Sequence, residues 1–292
     1  LVHGDTTTTF VGSMAAFYRR ISVGHVEAGL RTHDKYFPYP EEINRRLTGV
    51  LADLHFAPTG TNKLNLLNEG VKEAHIYVTG NTVIDALETT VRDGYRFSDQ
   101  SLQNMGFSNR RIIAVTAHRR ENLGEPLSNI CGALLQIADE FDDVEIVYPV
   151  HLNPAVRETV HEILGGHSRV HLIDPVGVSD MHNLMARSFF IMTDSGGLQE
   201  EAPSLGKPVL VLRNETERPE AVKAGTVKIA GTGRGKIFAL ASRLLRQPEE
   251  YERMARAVNP YGDGKASKRI VEAMLHYFGY IKEKPAEFIL DR

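Results

Sequence analysis

Short apolar stretches alternate with segments of helical periodicity along the whole chain. Most of these stretches are continuously apolar, which is typical of strands covered on both faces in a parallel sheet. Segment 127–141 illustrates the helical pattern, with an apolar stripe at Ile130, Leu134, Ile137 and Phe141. The alternation predicts a doubly wound α/β fold. The predicted strands cover residues 23–26, 54–57, 76–80, 112–116, 145–150, 170–173, 189–193 and 208–212.

The strands suffice for two sheets, so we predict two Rossmann-like domains. The boundary is expected between residues 80 and 110, where a polar stretch with Gly and Asn precedes a new strand. Residues 1–85 are predicted to form the C-terminal part of the first domain, and residues 86–264 the second. The sequence opens Leu-Val-His-Gly-Asp, as if on the end of a strand. We therefore expect the first domain to be incomplete at its N-terminus.

A turn-rich loop at 259–267 introduces the last predicted helix, at 265–280. We expect this helix to pack back on another part of the molecule. The charged tail from Lys282 is expected to be loosely attached. The predicted packing face consists of Ile270, Val271, Met274, Leu275 and Phe278.

Composition and charge narrow the class of protein. With 292 residues, 42% hydrophobic and 24% charged, the chain reads as an ordinary globular protein. Its net charge of −3 gives no general attraction to nucleic acid or an anionic membrane, and neither is expected as a partner. The single cysteine, Cys131, falls in a helical apolar pattern, so we predict a core residue and a reducing, cytoplasmic location. No apolar stretch approaches the ~20 residues that span a bilayer.

Polar residues follow the predicted strands where each one ends, and ligands bind beyond the carboxyl ends of strands in an open parallel sheet. Acids follow the strands of the first domain, namely Asp5 and Glu27. Bases and an anion-binding type of turn follow those of the second domain. We therefore expect a cleft with carboxylates on one wall and an anion on the other. The residues on the second side are His118, Arg119, Arg120, His151, Asp194, Ser195, Gly196, Gly197 and Arg213.

The sequence Asp-Ser-Gly-Gly at 194–197 can hold an anion at the start of a helix. Asp194 or Ser195 can cap the helix, the glycines allow close approach, and N–H groups would face a phosphate. An ordinary capped β-α turn explains this motif equally well. Glu200 and Glu201 follow, either as surface charges favoured by the helix dipole or with one accepting from vicinal hydroxyls. Together the motif and the acids fit a nucleoside diphosphate.

Two bases near this turn have structural and functional interpretations. His151 ends a strand before a Pro-started helix and would face the phosphate, where a donor stabilises a leaving group. A lone histidine is more often structural. Arg218, in Thr-Glu-Arg-Pro-Glu-Ala, is either a solvated charge or a phosphate clamp.

Four acids form the predicted opposite wall. Asp5 precedes a run of threonines, a pattern that simple helix capping also explains. Glu27 has small and apolar neighbours, which can raise a carboxyl pKa enough for proton transfer. Glu41 and Glu42 lie in the first turn of a predicted helix after Pro40. As a set, the acids suggest acid/base catalysis.

The motifs resemble those of one family, the bacterial non-hydrolysing UDP-N-acetylglucosamine 2-epimerases, in order and over nearly the whole chain. The resemblance implies two Rossmann-like domains in the GT-B arrangement, with the active site between them and a C-terminal helix that returns to the first domain. The matching stretches are VHGDTTTT, VGHVEAGLRT, PEEINRRLT, GNTVIDAL, TAHRREN, YPVHLNP, TDSGGLQEEAPSLGKPVLVLR, TERPEAVKAGTV and NPYGDGKAS.

The resemblance also implies a reaction. The family interconverts UDP-GlcNAc and UDP-ManNAc by anti elimination of UDP to 2-acetamidoglucal, followed by re-addition. It needs neither NAD nor a metal, so no cofactor is expected, and it implies a homodimer. By resemblance the catalytic residues are Asp5, Glu27, Glu41 and His151, the last as partner of the β-phosphate.

The remaining roles follow from the same resemblance. The diphosphate cradle is formed by Ser195, Gly196 and Gly197, with Arg218 as a further nucleotide contact. Glu201 accepts from the ribose. Arg119 resembles a residue of the family's regulatory UDP-GlcNAc site. The uracil contacts fall at Val176 and Met181, where this chain departs from the Gln and Phe of better-known members.

One further departure and three alternatives remain. The family begins with a strand and a Gly-Thr-Arg-Pro-Glu loop that this sequence lacks, in agreement with the expected incompleteness. A GT-B glycosyltransferase would share the nucleotide wall but move the sugar to an acceptor, and a hydrolysing epimerase would release UDP. A truncated chain could bind UDP-sugars without turnover.

Overall fold

The structure, a computed structural model, describes residues 1–107, 109–216 and 218–290. The strands are β1 (Val2–His3), β2 (Gly24–Val26), β3 (Leu54–Ala57), β4 (Ile76–Val78), β5 (Arg111–Thr116), β6 (Val144–Pro149), β7 (Val170–Ile173), β8 (Phe190–Thr193), β9 (Val209–Val211) and β10 (Val227–Ile229). The helices are α1 (Thr7–Tyr18), α2 (Glu41–Leu51), α3 (Gly60–Asn68), α4 (Thr82–Thr90), α5 (Gln100–Gln103), α6 (Glu125–Glu140), α7 (Pro154–Leu164), α8 (Val178–Arg187), α9 (Gly196–Ser204), α10 (Pro219–Ala224), α11 (Arg234–Arg246), α12 (Pro248–Ala255) and α13 (Ala266–Tyr277).

The chain divides into two compact units. Unit 1 comprises Leu1–Ala86 and Pro260–Arg292, and unit 2 comprises Leu87–Asn259. Each unit has its own parallel sheet with helices in the connections, so the predicted α/β fold is confirmed.

The sheet of unit 1 has the strand order β1-β2-β3-β4, all parallel. The register places His3, Val26, Phe56 and Tyr77 in one row across the four strands. The carboxyl ends of the strands are therefore level, and residues that follow them emerge at one edge.

The sheet of unit 2 has the order β10-β9-β8-β5-β6-β7, also parallel. Its two halves start at the central strands β5 and β8, and the chain winds outward from them in opposite directions. This is the order of a Rossmann fold, whose ligand crevice opens between the two central strands. Thr116 and Thr193, the paired last residues of β5 and β8, mark that point.

The core of unit 2 follows the apolar pattern read from the sequence. Helix α6 buries Ile130, Leu134 and Ile137 as predicted, and Phe141 is buried just beyond its end. Cys131 lies in the same core, fully buried, and burial raises the pKa of its thiol to about 12. The prediction of a core cysteine is confirmed.

Helix α13 packs on the sheet of unit 1, and two residues of the predicted face, Ile270 and Met274, take part in that contact. Ile270 and Ala273 are buried against Val26, Phe56 and Tyr77. The predicted members Val271, Leu275 and Phe278 are exposed. The observed stripe uses the small residues Ala266 and Ala273, which allow close approach to the sheet but look unremarkable in a sequence.

The C-terminal tail is attached, contrary to expectation. The N–H of Phe288 donates to the carbonyl of Val78 at 2.8 Å, so the tail adds to β4, the edge strand. The ammonium of Lys284 lies 4.7 Å from the ring centre of Tyr77. Backbone and cation–π contacts together hold the segment.

Each of the eight predicted strands has a counterpart, with ends that differ by no more than two residues. The sequence analysis missed β10, an edge strand with the polar Lys228 at its centre. Within the described residues, no helix combines the length and apolarity that a bilayer crossing requires.

Candidate active site

Asp194 links the loop that follows β8 to the loop that follows β5 through hydrogen bonds of its side chain. Its carboxylate is fully buried, and Oδ2 accepts from the N–H of His118 at 2.7 Å, the N–H of Arg119 at 2.8 Å and Nδ2 of Asn122 at 2.9 Å. The predicted alternative that Asp194 caps the next helix is therefore wrong, because the side chain turns towards β5. The sequence analysis missed Asn122, which becomes visible only through this contact.

Helix α9 begins without a side-chain cap. Ser195 occupies the N-cap position in extended conformation, but no side chain accepts from the first turn. The prediction that Ser195 caps the helix is also wrong. Because the first N–H groups of a helix lack intrahelical partners, this helix start retains the capacity to bind an anion.

Arg218 lies against the first residue of α9. Its Nε donates to Oε1 of the buried Glu200 at 2.6 Å. A Cβ on Gly196 would lie 2.9 Å from Cζ and Nη1 of Arg218, so a side chain at position 196 would displace the guanidinium. The guanidinium thus adds positive charge beside the helix start. Glu200 is the structural member of the acidic pair.

Glu201, the predicted ribose acceptor, is held from one side. Its Oε2 lies 3.2 Å from Nε2 of His182, a buried residue of α8. Its Oε1 lies 3.2 Å from the place a Cβ on Gly197 would occupy. The second oxygen therefore faces the start of α9, where Ser195 and Gly196 lie. The sequence analysis missed His182, for which only its place in α8 offers a signal.

The imidazoles of His118 and His151 stack, with ring centres 5.1 Å apart and planes 7° apart. Nδ1 of the exposed His151 accepts from the N–H of Asn153 at 3.1 Å, so in the neutral ring the proton is on Nε2 and can be donated to a ligand. Nδ1 of His118 lies 3.6 Å from Oδ1 of Asp194, a buried oxygen without a hydrogen bond. The stack brings a second candidate donor beside the predicted one.

The predicted uracil and regulatory positions lie near these groups. Val176 follows β7 and is half-buried, and Met181 is half-buried in the first turn of α8, directly before His182. Arg119 donates from Nε to the carbonyl of Asp194 at 2.9 Å, so its side chain helps to build the turn after β8. Its regulatory role stays a prediction.

In unit 1, Asp5 emerges beyond β1 and pairs with a buried arginine of α2. Nη2 of Arg45 lies 2.5 Å from Oδ2 of Asp5. Thr6, and not Asp5, caps α1, since its side chain accepts from the N–H of Thr9. The carboxylate of Asp5 is therefore not used as a helix cap and lies at the edge of the sheet.

Glu27 follows β2 with a backbone φ of 66°, in the left-handed region that residues other than glycine rarely adopt. Its Oε1 accepts from Nδ2 of Asn81 at 3.4 Å, and Oε2 lies 3.6 Å from Nε2 of His3. A Cβ on Gly4 would lie 3.3 Å from Oε2. Unusual backbone at a sheet edge with a polar side chain is typical of functional positions.

Glu41 and Glu42, adjacent in the first turn of α2, have different environments. Glu42 is fully buried, and its carboxylate accepts from the N–H groups of Thr32 at 3.1 Å and His33 at 3.3 Å. It also lies 3.6 Å from Nη1 of Arg45. Its predicted place on the acid wall is wrong, because these contacts make it structural. Glu41 is half-buried and lies one turn before Arg45, on the same helix face.

Arg45, which the sequence analysis missed, links these acids. Its guanidinium is buried between Asp5 and Glu42. The signal in the sequence is its spacing of four from Glu41. Among the described residues, no group of three or more His, Cys, Asp or Glu side chains could hold a metal ion.

Comparison with known proteins gives consistent matches. The family profile described as UDP-N-acetylglucosamine 2-epimerase matches residues 1–275. The UDP-N-acetylglucosamine 2-epimerase of Bacillus subtilis is 62% identical over 288 residues, which are 99% of this chain and 75% of that protein. The S. aureus MnaA–UDP co-structure is 52% identical, with a TM-score of 0.94, over 99% of this chain and 78% of its own.

A fourth match includes the sugar nucleotide. The UDP-GlcNAc 2-epimerase from Neisseria meningitidis, solved bound to UDP-GlcNAc, is 50% identical with a TM-score of 0.85, over 94% of this chain and 75% of its own. Identities at this level over nearly all of this chain leave no doubt about descent. The chain belongs to the UDP-N-acetylglucosamine 2-epimerase family of isomerases.

Proposed function

We propose that this chain interconverts UDP-GlcNAc and UDP-ManNAc by inverting C2 of the sugar. The observation that carries the proposal is the relative solved with UDP-GlcNAc, 50% identical over 94% of this chain. The uncapped start of α9, with Arg218 beside it, supports a bound diphosphate.

The proposed reaction is an anti elimination followed by an addition. A base removes the proton from C2, the bond between C1 and the UDP oxygen breaks, and 2-acetamidoglucal is left with UDP. The same oxygen then attacks C1 while an acid delivers a proton to the opposite face of C2. A base and an acid placed on opposite faces of the sugar are therefore required.

Residues of unit 1 supply these proton transfers in our proposal. Asp5 and Glu27 emerge from neighbouring strand ends, and Glu41 shares a helix face with Arg45. The contacts of Asn81 and His3 fix the direction of the Glu27 carboxylate. Residues that are already fixed lose little freedom on reaching the transition state.

Residues of unit 2 hold UDP. The N–H groups of Gly196 and Gly197 bind the diphosphate together with Arg218 and the hydroxyl of Ser195, whose own N–H donates to Oγ1 of Thr193 at 2.9 Å. His151 donates to the β-phosphate. His118 is a second candidate for that donor, because its ring stacks on that of His151. Glu201 accepts from the ribose hydroxyls, while Val176 and Met181 contact uracil through their backbone.

One incubation distinguishes the proposal from its alternatives. The purified chain is mixed with UDP-GlcNAc and followed by proton NMR, and UDP-ManNAc should appear until equilibrium is reached. Free ManNAc with UDP would indicate a hydrolysing epimerase. Transfer of GlcNAc to an added acceptor would indicate a glycosyltransferase. Binding of UDP without any product would indicate a binding protein and would contradict the proposal.

A homodimer and a cytoplasmic location are part of the proposal. The fully buried Cys131 agrees with a reducing compartment. The apolar side chains of Phe17, Tyr18, Ile21 and Val50 are exposed around one groove at the ends of α1 and α2, a feature typical of protein interfaces.

The oligomeric state is measured by light scattering on a sizing column. A dimer should appear at about 65 kDa, twice the 32.5 kDa of one chain. Replacing Val50 with Glu should yield monomers, whereas Val258→Glu, at an exposed valine of unit 2, should not. A wild-type mass near 32.5 kDa would refute the dimer.

A further inference from the structure

His182 connects Glu201 to the first segment of unit 2. The imidazole is buried, with 4% of the residue exposed. Its Nε2 lies 3.2 Å from Oε2 of Glu201, and its Nδ1 lies 2.7 Å from Oγ1 of Thr90. Both ring nitrogens therefore have a polar neighbour, and the ring cannot turn without losing both contacts.

The contacts define where the proton lies. An ionised carboxylate only accepts hydrogen bonds, so the contact with Glu201 is favourable when Nε2 carries the proton. In the neutral ring, Nδ1 is then an acceptor and the hydroxyl of Thr90 is its donor. A directed chain thus runs from Thr90 through His182 to Glu201.

The residues around His182 make this chain rigid. Its neighbour Asn183 donates from Nδ2 to the carbonyl of Thr90 at 2.7 Å and accepts from the N–H of Arg92 at 3.1 Å. Asp180 accepts from the hydroxyl of Tyr95 at 2.7 Å. Three polar residues in the first two turns of α8 therefore hold the segment that contains Thr90.

The two oxygens of Glu201 have different surroundings. Oε2 is occupied by His182, whereas Oε1 faces Gly197 at the start of α9. A glutamate without the first contact could turn about its side-chain bonds and present either oxygen in several directions. When His182 holds Oε2, Glu201 presents its other oxygen, Oε1, as an acceptor at a defined position.

We infer that His182 is a positioning residue that aims Oε1 of Glu201 at the ribose hydroxyls of the bound nucleotide. The inference rests on the proposed function, which supplies the nucleotide. His182 itself touches no substrate. Its effect is selectivity for a ribose over a 2′-deoxyribose, because a fixed acceptor binds more tightly to a ligand that carries the matching hydroxyl.

The test compares UDP with 2′-deoxy-UDP by calorimetric titration. The wild-type chain should bind UDP at least about tenfold more tightly, the expected effect of one hydrogen bond to a charged group. His182→Gln places its amide nitrogen near the position of Nε2, so it keeps the contact with Glu201 and should keep most of this ratio. His182→Asn places its amide near Nδ1 and should lower the ratio to about one.

Controls separate positioning from general stability. Met185→Ala removes a fully buried side chain from the same helix and should lower the melting temperature without changing the ratio. Glu201→Gln should lower the ratio as His182→Asn does. A His182→Asn variant that folds and retains the wild-type ratio would overturn the inference.

Failure of the proposed function would look different. If the wild-type chain bound neither nucleotide, the nucleotide site itself would be refuted, and the inference with it. If UDP bound with the expected selectivity but no UDP-ManNAc formed, the epimerase proposal would fail. The binding ratio of UDP to 2′-deoxy-UDP in the His182 variants would still test the inference. Loss of selectivity confined to His182→Asn and Glu201→Gln supports the inference in either case.

Discussion

The guanidinium of Arg218 is fixed by Glu200 and lies directly against Gly196. Nε donates to Oε1 of Glu200 at 2.6 Å, and Cζ would be 2.9 Å from a Cβ on Gly196. Arg218 and Glu200 are both buried, so the pair is well shielded from water. Gly196 has an ordinary φ, so its backbone conformation does not call for a glycine, and the effect of a side chain there would be to move Arg218.

Replacing Gly196 with Ala should therefore displace Arg218. We expect the affinity for UDP to fall about tenfold or more, since a charge-assisted contact contributes roughly 1.5–3 kcal/mol. Titration calorimetry measures the change. Gly235→Ala is a matched control, because a Cβ there meets nothing within 4 Å, and it should leave the affinity unchanged. Equal affinity in the Gly196→Ala variant would contradict the role assigned to Arg218.

Glu41 and Glu42 should respond in opposite ways to replacement by Gln. Glu42→Gln removes the anion from two backbone N–H groups and leaves the buried Arg45 with Asp5 alone, so the free energy of unfolding should fall by about 3 kcal/mol. Glu41→Gln changes a half-buried group and should alter stability by no more than about 0.5 kcal/mol, yet abolish epimerisation.

Urea denaturation and NMR assays of the two variants check this prediction. Each variant is the control for the other, since the substitutions are chemically identical and adjacent in one helix turn. A stable but inactive Glu42→Gln variant beside an active Glu41→Gln variant would reverse our assignment.

Unit 1 should lose stability on acidification. Burial lowers the pKa of His25 and of His55, neighbours in the register of β2 and β3, from 6.5 to about 4 each. Between these values the unfolded chain binds more protons than the folded chain, so stability falls as the pH drops from about 6.5 to about 4. Each histidine accounts for about 3 kcal/mol over that range.

Urea denaturation at pH 7 and pH 4.5 measures this loss. His55→Gln should reduce the acid-dependent loss by about half, because one of the two titrating groups is removed. His161→Gln, at an exposed position of α7, should not change it. A wild-type stability independent of pH in this interval would rule out the buried neutral histidines.

Cys131 should be inert in the folded protein. Burial raises the pKa of its thiol to about 12, and the thiolate is the reactive form. A maleimide reagent at pH 7.5 should label the chain only in urea. Rapid labelling under native conditions would contradict the closed core around α6.

The elements that could be predicted from sequence are those whose pattern is decided locally. Strands such as β3 and β7 are located to the residue because each is apolar apart from one histidine, His55 in β3 and His171 in β7. The face of α13 is predicted only in part, since Ile270 and Met274 pack on the sheet as expected but the other predicted residues do not. There, Ala266 and Ala273 are buried and Val271 is exposed, because close approach to the sheet outweighs hydrophobicity.

In the site, too, some positions can be predicted from sequence and others depend on tertiary contacts. Positions after strand ends, such as Asp5, Glu27 and Ser195, follow from the topology of parallel sheets. The difference between Glu41 and Glu42 could not be seen, since both are acids in one helix turn and only the backbone of Thr32 and His33 decides which is buried. His182 contacts Thr90 and Glu201, which are distant in sequence, so no local pattern predicts its role. Arg45 is marked only by its helical spacing from Glu41 and Glu42.

Proton exchange at C2 tests the central claim most directly. The wild-type chain and the Glu27→Gln variant are each incubated with UDP-GlcNAc in D2O, and the signal of the C2 proton is followed by NMR. The affinity of the variant for UDP is measured in a separate titration. We expect deuterium at C2 of both sugar nucleotides with the wild-type chain, and no exchange with the Glu27→Gln variant, which should still bind UDP. Epimerisation that retains the original proton at C2, or unchanged exchange in Glu27→Gln, would contradict the claim.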